Sequence, residues 1–324
     1  MLPVMDALPM ASHLLCHLGT PCRWQAVWAF SIVFAARKQS ATWERLAGGK
    51  PFGLFSRLLL IVHIFMSDFS YILYNVTAPL ALITINRPAK HNAISLATLE
   101  ELHQAVDLAA ADESVRVIAI TGAGGRAFAS GSDLNEVAER DLRKALEPLV
   151  QGLADQLEAL PKPTIAAIDG ICMGGGLEIA LGCDLRVCTP ESRFATPEGK
   201  LGIIPGGGAT ARLPRVVGRG WGLEMLLMGE PIKAERAIQI GLVTRIVEPD
   251  ELMSEVQRMA DHLASFAPFV PQFMKAMVHQ GMEGSLASAL AMEKFAQGAL
   301  VQTEDKTEGI SAFLEKRKPT FKGR

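Results

Sequence analysis

Paired cysteines are the first thing this sequence lacks. Its five cysteines, Cys16, Cys22, Cys172, Cys183 and Cys188, include no C-x-x-C pair, and their odd number argues against a disulfide framework. A reducing, cytoplasmic setting is therefore expected. Charge of one sign is missing too: a formal net charge of −2 leaves no concentrated basic face, so nucleic acid is not an expected partner. The apolar runs Trp24 to Ala36 and Leu58 to Phe65 both fall short of the roughly 20 residues that span a bilayer. Neither is followed by a compact cleavage site, so membrane attachment is not expected either. There is no low-complexity tract and no repeat of fixed length. What remains, 49% hydrophobic and 20% charged over 324 residues, is the composition of a globular chain with a sizeable core.

Residues 1 to 65 differ in character from the rest. Met66-Ser67-Asp68-Phe69 resembles an ordinary start and runs at once into strand-like sequence. The expectation is that residues 1 to 65 lie upstream of the natural start. From Tyr71 the pattern is regular. Tyr71 to Val76 and Leu80 to Asn86 read as a hairpin, and Ser95 as the N-cap of a helix through Ala111 with apolar residues at helical spacing. Val115 to Thr121 is a β-branched strand ending in Gly122-Ala123-Gly124-Gly125. Those glycines open no apolar-periodic helix, so they read as a turn and not as a dinucleotide loop. Asp133 is placed to cap a helix at Leu134, and leucines at 142, 146, 149, 153, 157 and 160 suggest one long helical stretch before Pro161. From Trp221 the chain is mostly helical, with one strand at Val243 to Val247. The pattern predicts an α/β core with helical additions at the C-terminus.

Two stretches carry chemistry. The apolar run Pro163 to Ile168 leads to Met173-Gly174-Gly175-Gly176-Leu177-Glu178, a strand that ends in glycines and opens a helix. Bare N–H groups at such a helix start stabilise an oxyanion, and Glu178, three residues past Gly175, faces the same side of the first turn. The plain alternative is that Glu178 only caps its helix. Glu198 follows Pro197, where spacing alone would make it an exposed turn residue. Cys172 touches the glycine stretch, but with no histidine near it in sequence it reads as apolar packing. A second cluster, Pro205-Gly206-Gly207-Gly208, lacks the Gly-Lys-Ser/Thr of a phosphate loop and reads as a tight loop feeding a helix.

Taken together, Asn86-Arg87-Pro88 with Asn92-Ala93, Phe128 to Asp133, Ala166 to Glu178, Cys183-Asp184, Phe194 to Glu198, Leu201-Gly202, Arg212-Leu213-Pro214, Ser311-Ala312-Phe313 and Glu315 to Lys318 resemble the crotonase family of enoyl-CoA hydratases and isomerases. The resemblance runs from about Phe69 to the last residue. It implies a spiral of repeated ββα units over residues 66–257 and a helical trimerisation region over 258–324, with residues 1–65 as a non-family extension. It also implies a homotrimer, or a homohexamer built as a dimer of trimers.

The chemistry implied is the binding of an acyl-CoA thioester whose carbonyl oxygen is held by the main-chain N–H groups of Ser132 and Gly175. Glu178 and Glu198 would hold the reacting water, with Glu178 as base and Glu198 as acid. Coenzyme A would be part of the substrate, with no separate cofactor and no metal. Contacts to the substrate and its CoA portion would come from Lys90, Ala93, Ser130, Asp133 and Leu134, and from Phe313 and Lys316 of a neighbouring region or subunit. The alternatives within the family are a Δ3,Δ2-enoyl-CoA isomerase, which needs only one proton-shuttling carboxylate, or another acyl-CoA enzyme of the family. Three departures stand out: Asn135, where many members carry a basic residue, and Ala209 and Ala211 in place of glycine and glutamine. Acyl-chain length is not legible in these residues.

Overall fold

The computed structural model describes residues 69–324, so the expectation for residues 1 to 65 lies outside the described residues. Among the described residues ten strands fall into two sheets. The larger has the order β1 (Ile72–Thr77), β2 (Leu80–Ile85), β3 (Val117–Gly122), β5 (Thr164–Ile168), β7 (Leu185–Cys188) and β10 (Arg245–Ile246). The smaller has the order β4 (Ala127–Ala129), β6 (Ile171–Met173), β8 (Arg193–Ala195) and β9 (Ile232–Lys233). β1 and β2 form the antiparallel hairpin expected from the alternation. β2, β3, β5 and β7 then run parallel.

Each of β3, β5 and β7 leads directly into a short strand of the second sheet, β4, β6 and β8, before the chain turns helical. This is the mixed α/β, spiral ββα arrangement. The parallel strands β3 and β5 are buried throughout, so both their faces are covered. Period-2 alternation divides the packing: Val117, Ala119, Ile165 and Ala167 meet Leu252, Val256, Met259 and Ala260 of helix α8 (Leu252–Ala264). Ile118, Ile120, Ala166 and Ile168 face the main core on the other side, with helices α1 (Leu96–Ala111), α4 (Leu149–Ala159) and α5 (Gly175–Gly182). The boundary read at 257/258 lies inside α8, which these contacts join to the sheet.

α1 begins where the sequence predicts, with Ser95 Oγ accepting from the N–H of Thr98 at 3.2 Å and Leu99, Leu102, Val106 and Ala109 buried. The single long helix to Leu160 is corrected. The segment is broken into α2 (Leu134–Ala138), α3 (Leu142–Ala145) and α4. Asp141 caps α3 by accepting from the Lys144 N–H at 2.8 Å, and Pro148, which has no N–H to continue a helix, precedes α4. Leu142 and Leu146 are consequently exposed, while Leu153 and Leu157 are fully buried. The leucine spacing spans two faces instead of one.

The remaining helices are α6 (Ala209–Met228), which kinks at Gly218, α7 (Ala234–Gln239), and the C-terminal α9 (Phe269–Glu283), α10 (Leu286–Val301) and α11 (Glu304–Leu314). α9 and α10 pack against each other, and Met274, Val278, Met282, Leu290 and Phe295 point their apolar surface outward. Among the described residues no helix is long and apolar enough to cross a membrane.

Candidate active site

The smaller sheet places the site. β4, β6 and β8 are adjacent and parallel, with Ala129 opposite Cys172 and Met173 opposite Ala195, so the residues that leave their C-terminal ends emerge side by side. Those residues are Ser132, the glycine stretch with Glu178, and Glu198. The strands are three residues each, too short to show a period of their own. Their register, and not any spacing along the chain, unites the site.

After β6 the chain turns at Gly174, whose φ of 50° is a left-handed value that glycine adopts without a steric penalty. A side chain there would also meet Glu198, since a Cβ on Gly174 would lie 3.0 Å from Glu198 Oε1. α5 starts at Gly175 with every residue buried. Its first N–H has no partner within the helix. The N–H groups of Ser130 and Asp133 donate to His91 O and Ile94 O, at 3.1 and 2.9 Å, whereas those of Ser132 and Gly175 have no acceptor among the described residues. The two sites are close: a Cβ on Gly175 would lie 3.5 Å from Ser132 N and 3.3 Å from Ser132 Oγ. Two bare main-chain donors thus converge where an oxyanion could sit.

Glu178 is only 3% exposed and does not cap its own helix. Its Oε1 accepts from the N–H groups of Gly207 and Ala209, at 2.7 and 3.1 Å. Burial raises its pKa, while those N–H groups and the charge of Arg212 pull the other way. The second glycine cluster is therefore the cradle of this carboxylate. Gly207 has no room for a side chain, since a Cβ would lie 2.4 Å from Glu178 Oε2 and 2.7 Å from Val150 Cγ1. Ala209 departs from the family's glycine without consequence for this contact, because the donor is main-chain.

Glu198 sits in a 3₁₀ turn, Pro197–Leu201, beyond β8. Its Oε2 is shielded from solvent and has no hydrogen-bond partner. Burial pushes its pKa up to about 7, and the nearby charge of Glu178 adds to the shift, against a lowering contribution from its own backbone N–H. One carboxylate is thus held by two N–H groups that favour its charge. The other keeps its proton toward neutrality and has an unsatisfied oxygen.

The expected CoA contacts divide into two groups. Lys90, Ala93, Ser130 and Asp133 cluster beside Ser132, because Ile94 bridges to Ser132 in parallel and the Ser130 N–H reaches His91 O. Asp133 is buried and pairs with Arg87 at 3.1 Å and Lys90 at 3.7 Å, and the hydrogen bond from Arg87 is the main cause of its lowered pKa. Arg87 also donates to Ala93 O. Asp133 caps α2 as expected, accepting from the Asn135 N–H at 3.3 Å, so its carboxylate shapes this wall. Leu134 is exposed at the same edge. Phe313, 83% exposed on α11, and Lys316 just beyond it make no hydrogen bond or ion pair to this cluster within the described chain. Cys172 is completely buried in β6 and its thiol pKa is pushed well up by that burial, as apolar packing requires. Among the described residues no group of histidine, cysteine and carboxylate side chains is arranged to hold a metal.

The profile of the family described as "Enoyl-CoA hydratase/isomerase" matches residues 75–324. The 2,3-dehydroadipyl-CoA hydratase of Escherichia coli (strain K12) is 44% identical over 75% of this chain and 95% of its own length. The short-chain-enoyl-CoA hydratase of Clostridium acetobutylicum is 39% identical over 74% and 92%. Among solved structures, an enoyl-CoA hydratase from Bacillus anthracis superposes with a TM-score of 0.76 at 36% identity, covering 79% of this chain and all of that one.

Proposed function

The chain belongs to the enoyl-CoA hydratase/isomerase family, and from that premise we propose that its site adds water reversibly and syn to trans-2-enoyl-CoA thioesters, giving 3-hydroxyacyl-CoA. The observation that carries this reading is the pair of shielded carboxylates, Glu178 and Glu198, beside two unpartnered N–H groups.

The thioester oxygen would accept from the N–H groups of Ser132 and Gly175, which draws electron density from C3 and stabilises the enolate. Ionised Glu178 takes a proton from water as the water oxygen bonds to C3. Protonated Glu198 gives a proton to C2 on the same face, so one C–O and one C–H bond form as the double bond is lost. An isomerase needs only one of these carboxylates, and the second is what favours hydration. Since the addition involves no net oxidation or reduction, it calls for no redox group, and coenzyme A enters as part of the substrate. The outward apolar residues of α9 and α10 support assembly as a trimer or a hexamer, with Phe313 and Lys316 completing a neighbouring subunit's CoA site. The free thiols of Cys172, Cys183 and Cys188 agree with a cytoplasmic location. The core through α8 and the helices α9 to α11 then carry chemistry and assembly respectively.

Loss of the ultraviolet absorbance of crotonyl-CoA, and of longer enoyl thioesters in a panel, is the expected result with purified protein. No turnover across short, medium and long chains would sink the hydratase reading.

Glu198 also leaves a signature in stability. Its carboxyl keeps its proton to about pH 7 when folded but loses it in the ordinary carboxylate range when unfolded. The stability it confers is complete below that range and is lost as pH rises through about 7. Glu198→Gln should therefore gain in thermal midpoint relative to wild type between about pH 5 and about pH 8. An equal difference at both ends would show that the carboxyl is not perturbed.

A further inference from the structure

We infer that Arg212 is a positioning residue for the base, holding the glycine turn that in turn holds Glu178; this rests on the hydration reading above. Gly206, Gly207 and Gly208 form a run with no side chains of its own to pack. Gly208 adopts φ +107°, and the chain at this point is as unconstrained as a backbone can be. Yet the N–H groups of Gly207 and Ala209 must meet one carboxylate oxygen at 2.7 and 3.1 Å. Something outside the turn has to fix it.

Arg212, one turn into α6, reaches back over the run. Its Nη1 donates to Gly207 O at 3.4 Å, so the two peptides flanking Gly207 point one group at Glu178 and the other at the guanidinium. A Cβ on Gly208 would lie 2.1 Å from Nη1, which shows how closely the guanidinium lies against the turn. The far side of the guanidinium is anchored on α4: Nε and Nη2 donate to Glu158 Oε2 at 3.1 and 2.7 Å, and Nη2 also pairs with Asp155. The fork shape makes this possible, since one planar group bonds two carboxylates and a carbonyl at once.

The anchor is itself braced. Glu158 Oε1 pairs with His279 Nδ1 at 3.1 Å, and on the same α9 Lys275 pairs with Asp184 at 2.9 Å and donates to Leu157 O at 2.7 Å. α9 therefore clamps the end of α4 that carries the carboxylates of Arg212. The charged groups facing Glu178 are Arg212 from α6 and Glu198 from the 3₁₀ turn. Those facing Arg212 are Asp155 and Glu158, with His279 behind Glu158.

A salt bridge that merely stabilised the fold would not alter how the base titrates. If Arg212 positions Glu178, Arg212→Gln should lower kcat on the order of 10²-fold, the cost of misplacing a reacting group by about 1 Å, with KM little changed. The acidic limb of the kcat–pH profile should move to higher pH, because the ionised base loses both a nearby cation and well-aligned N–H donors. Arg212→Lys, which keeps the charge and loses the fork, should recover part of kcat and part of the shift. Should Arg212→Gln not fold, Glu158→Gln, which keeps the cation but frees it from α4, should lower kcat by less with KM little changed, and a wild-type kcat there would overturn the inference. An unmoved limb in the folded variant would overturn the inference. If wild type hydrates no enoyl thioester, the hydration reading fails separately. The thermal midpoints of Glu178→Gln, Arg212→Gln and the double variant then decide this inference: non-additive shifts uphold it and additive shifts overturn it.

Discussion

Glu178→Gln and Glu198→Gln should each lower kcat by about 10²- to 10⁴-fold while a saturated acyl-CoA still binds, as expected for a group that moves a proton only in the transition state. The two variants should fail for different reasons. Glutamine at 178 replaces a carboxylate oxygen held by the N–H groups of Gly207 and Ala209, and an amide oxygen can accept the same two bonds. Its geometry should survive while its basicity is lost. Glutamine at 198 replaces a carboxyl that keeps its proton to about pH 7 and whose Oε2 has no partner. It retains an N–H donor but cannot release a proton to C2. Because both act on one water, the double variant should be little worse than the poorer single one, the non-additivity expected of groups that work as a unit. Steady-state rates together with ligand-binding titrations check this, and a wild-type rate in either variant would remove that residue from the mechanism.

Ser132→Pro should cost about 10²- to 10³-fold in kcat, or roughly 2.7 to 4 kcal/mol, by deleting one of the two oxyanion donors. The bridge between Ile94 and Ser132 is made by the Ile94 N–H to Gly131 O and the Asp133 N–H to Ile94 O, so no ladder bond uses the Ser132 N–H. A proline therefore removes a donor that the fold does not use. Ser132→Ala keeps that donor and loses only the hydroxyl, so its effect should be mild. Comparable losses in both variants would place the function of Ser132 in its hydroxyl.

The resemblance to crotonases, and not the spacing, is what joins Ser132, Gly175, Glu178 and Glu198 in the sequence. Periodicity alone would have left Glu198 a turn residue, because what joins it to Glu178 is the parallel register of β6 and β8. Such pairing is non-local and leaves no trace in the spacing. Local signals served well where the physics is local: Ser95 caps α1 through a bond three residues away, and the alternation of the first hairpin is its buried face. They failed where two local rules compete, as at Pro148, where a leucine repeat suited to one helix is cut by a residue that cannot continue it. The cradle of Glu178 was hidden for a further reason. Its donors are main-chain N–H groups of Gly207 and Ala209, which any sequence could supply, and only the absence of a side chain at Gly207 hints at the close approach.

Hydration of a trans-2-enoyl-CoA in D₂O, with the stereochemistry of the product read by NMR, tests the two-carboxylate account most directly. Glu178 and Glu198 acting on one face predict a 3-hydroxyacyl-CoA with a single deuterium at C2, syn to the new hydroxyl. Deuterium on both faces of C2, anti addition, or a 3-enoyl product without a hydroxyl would contradict it.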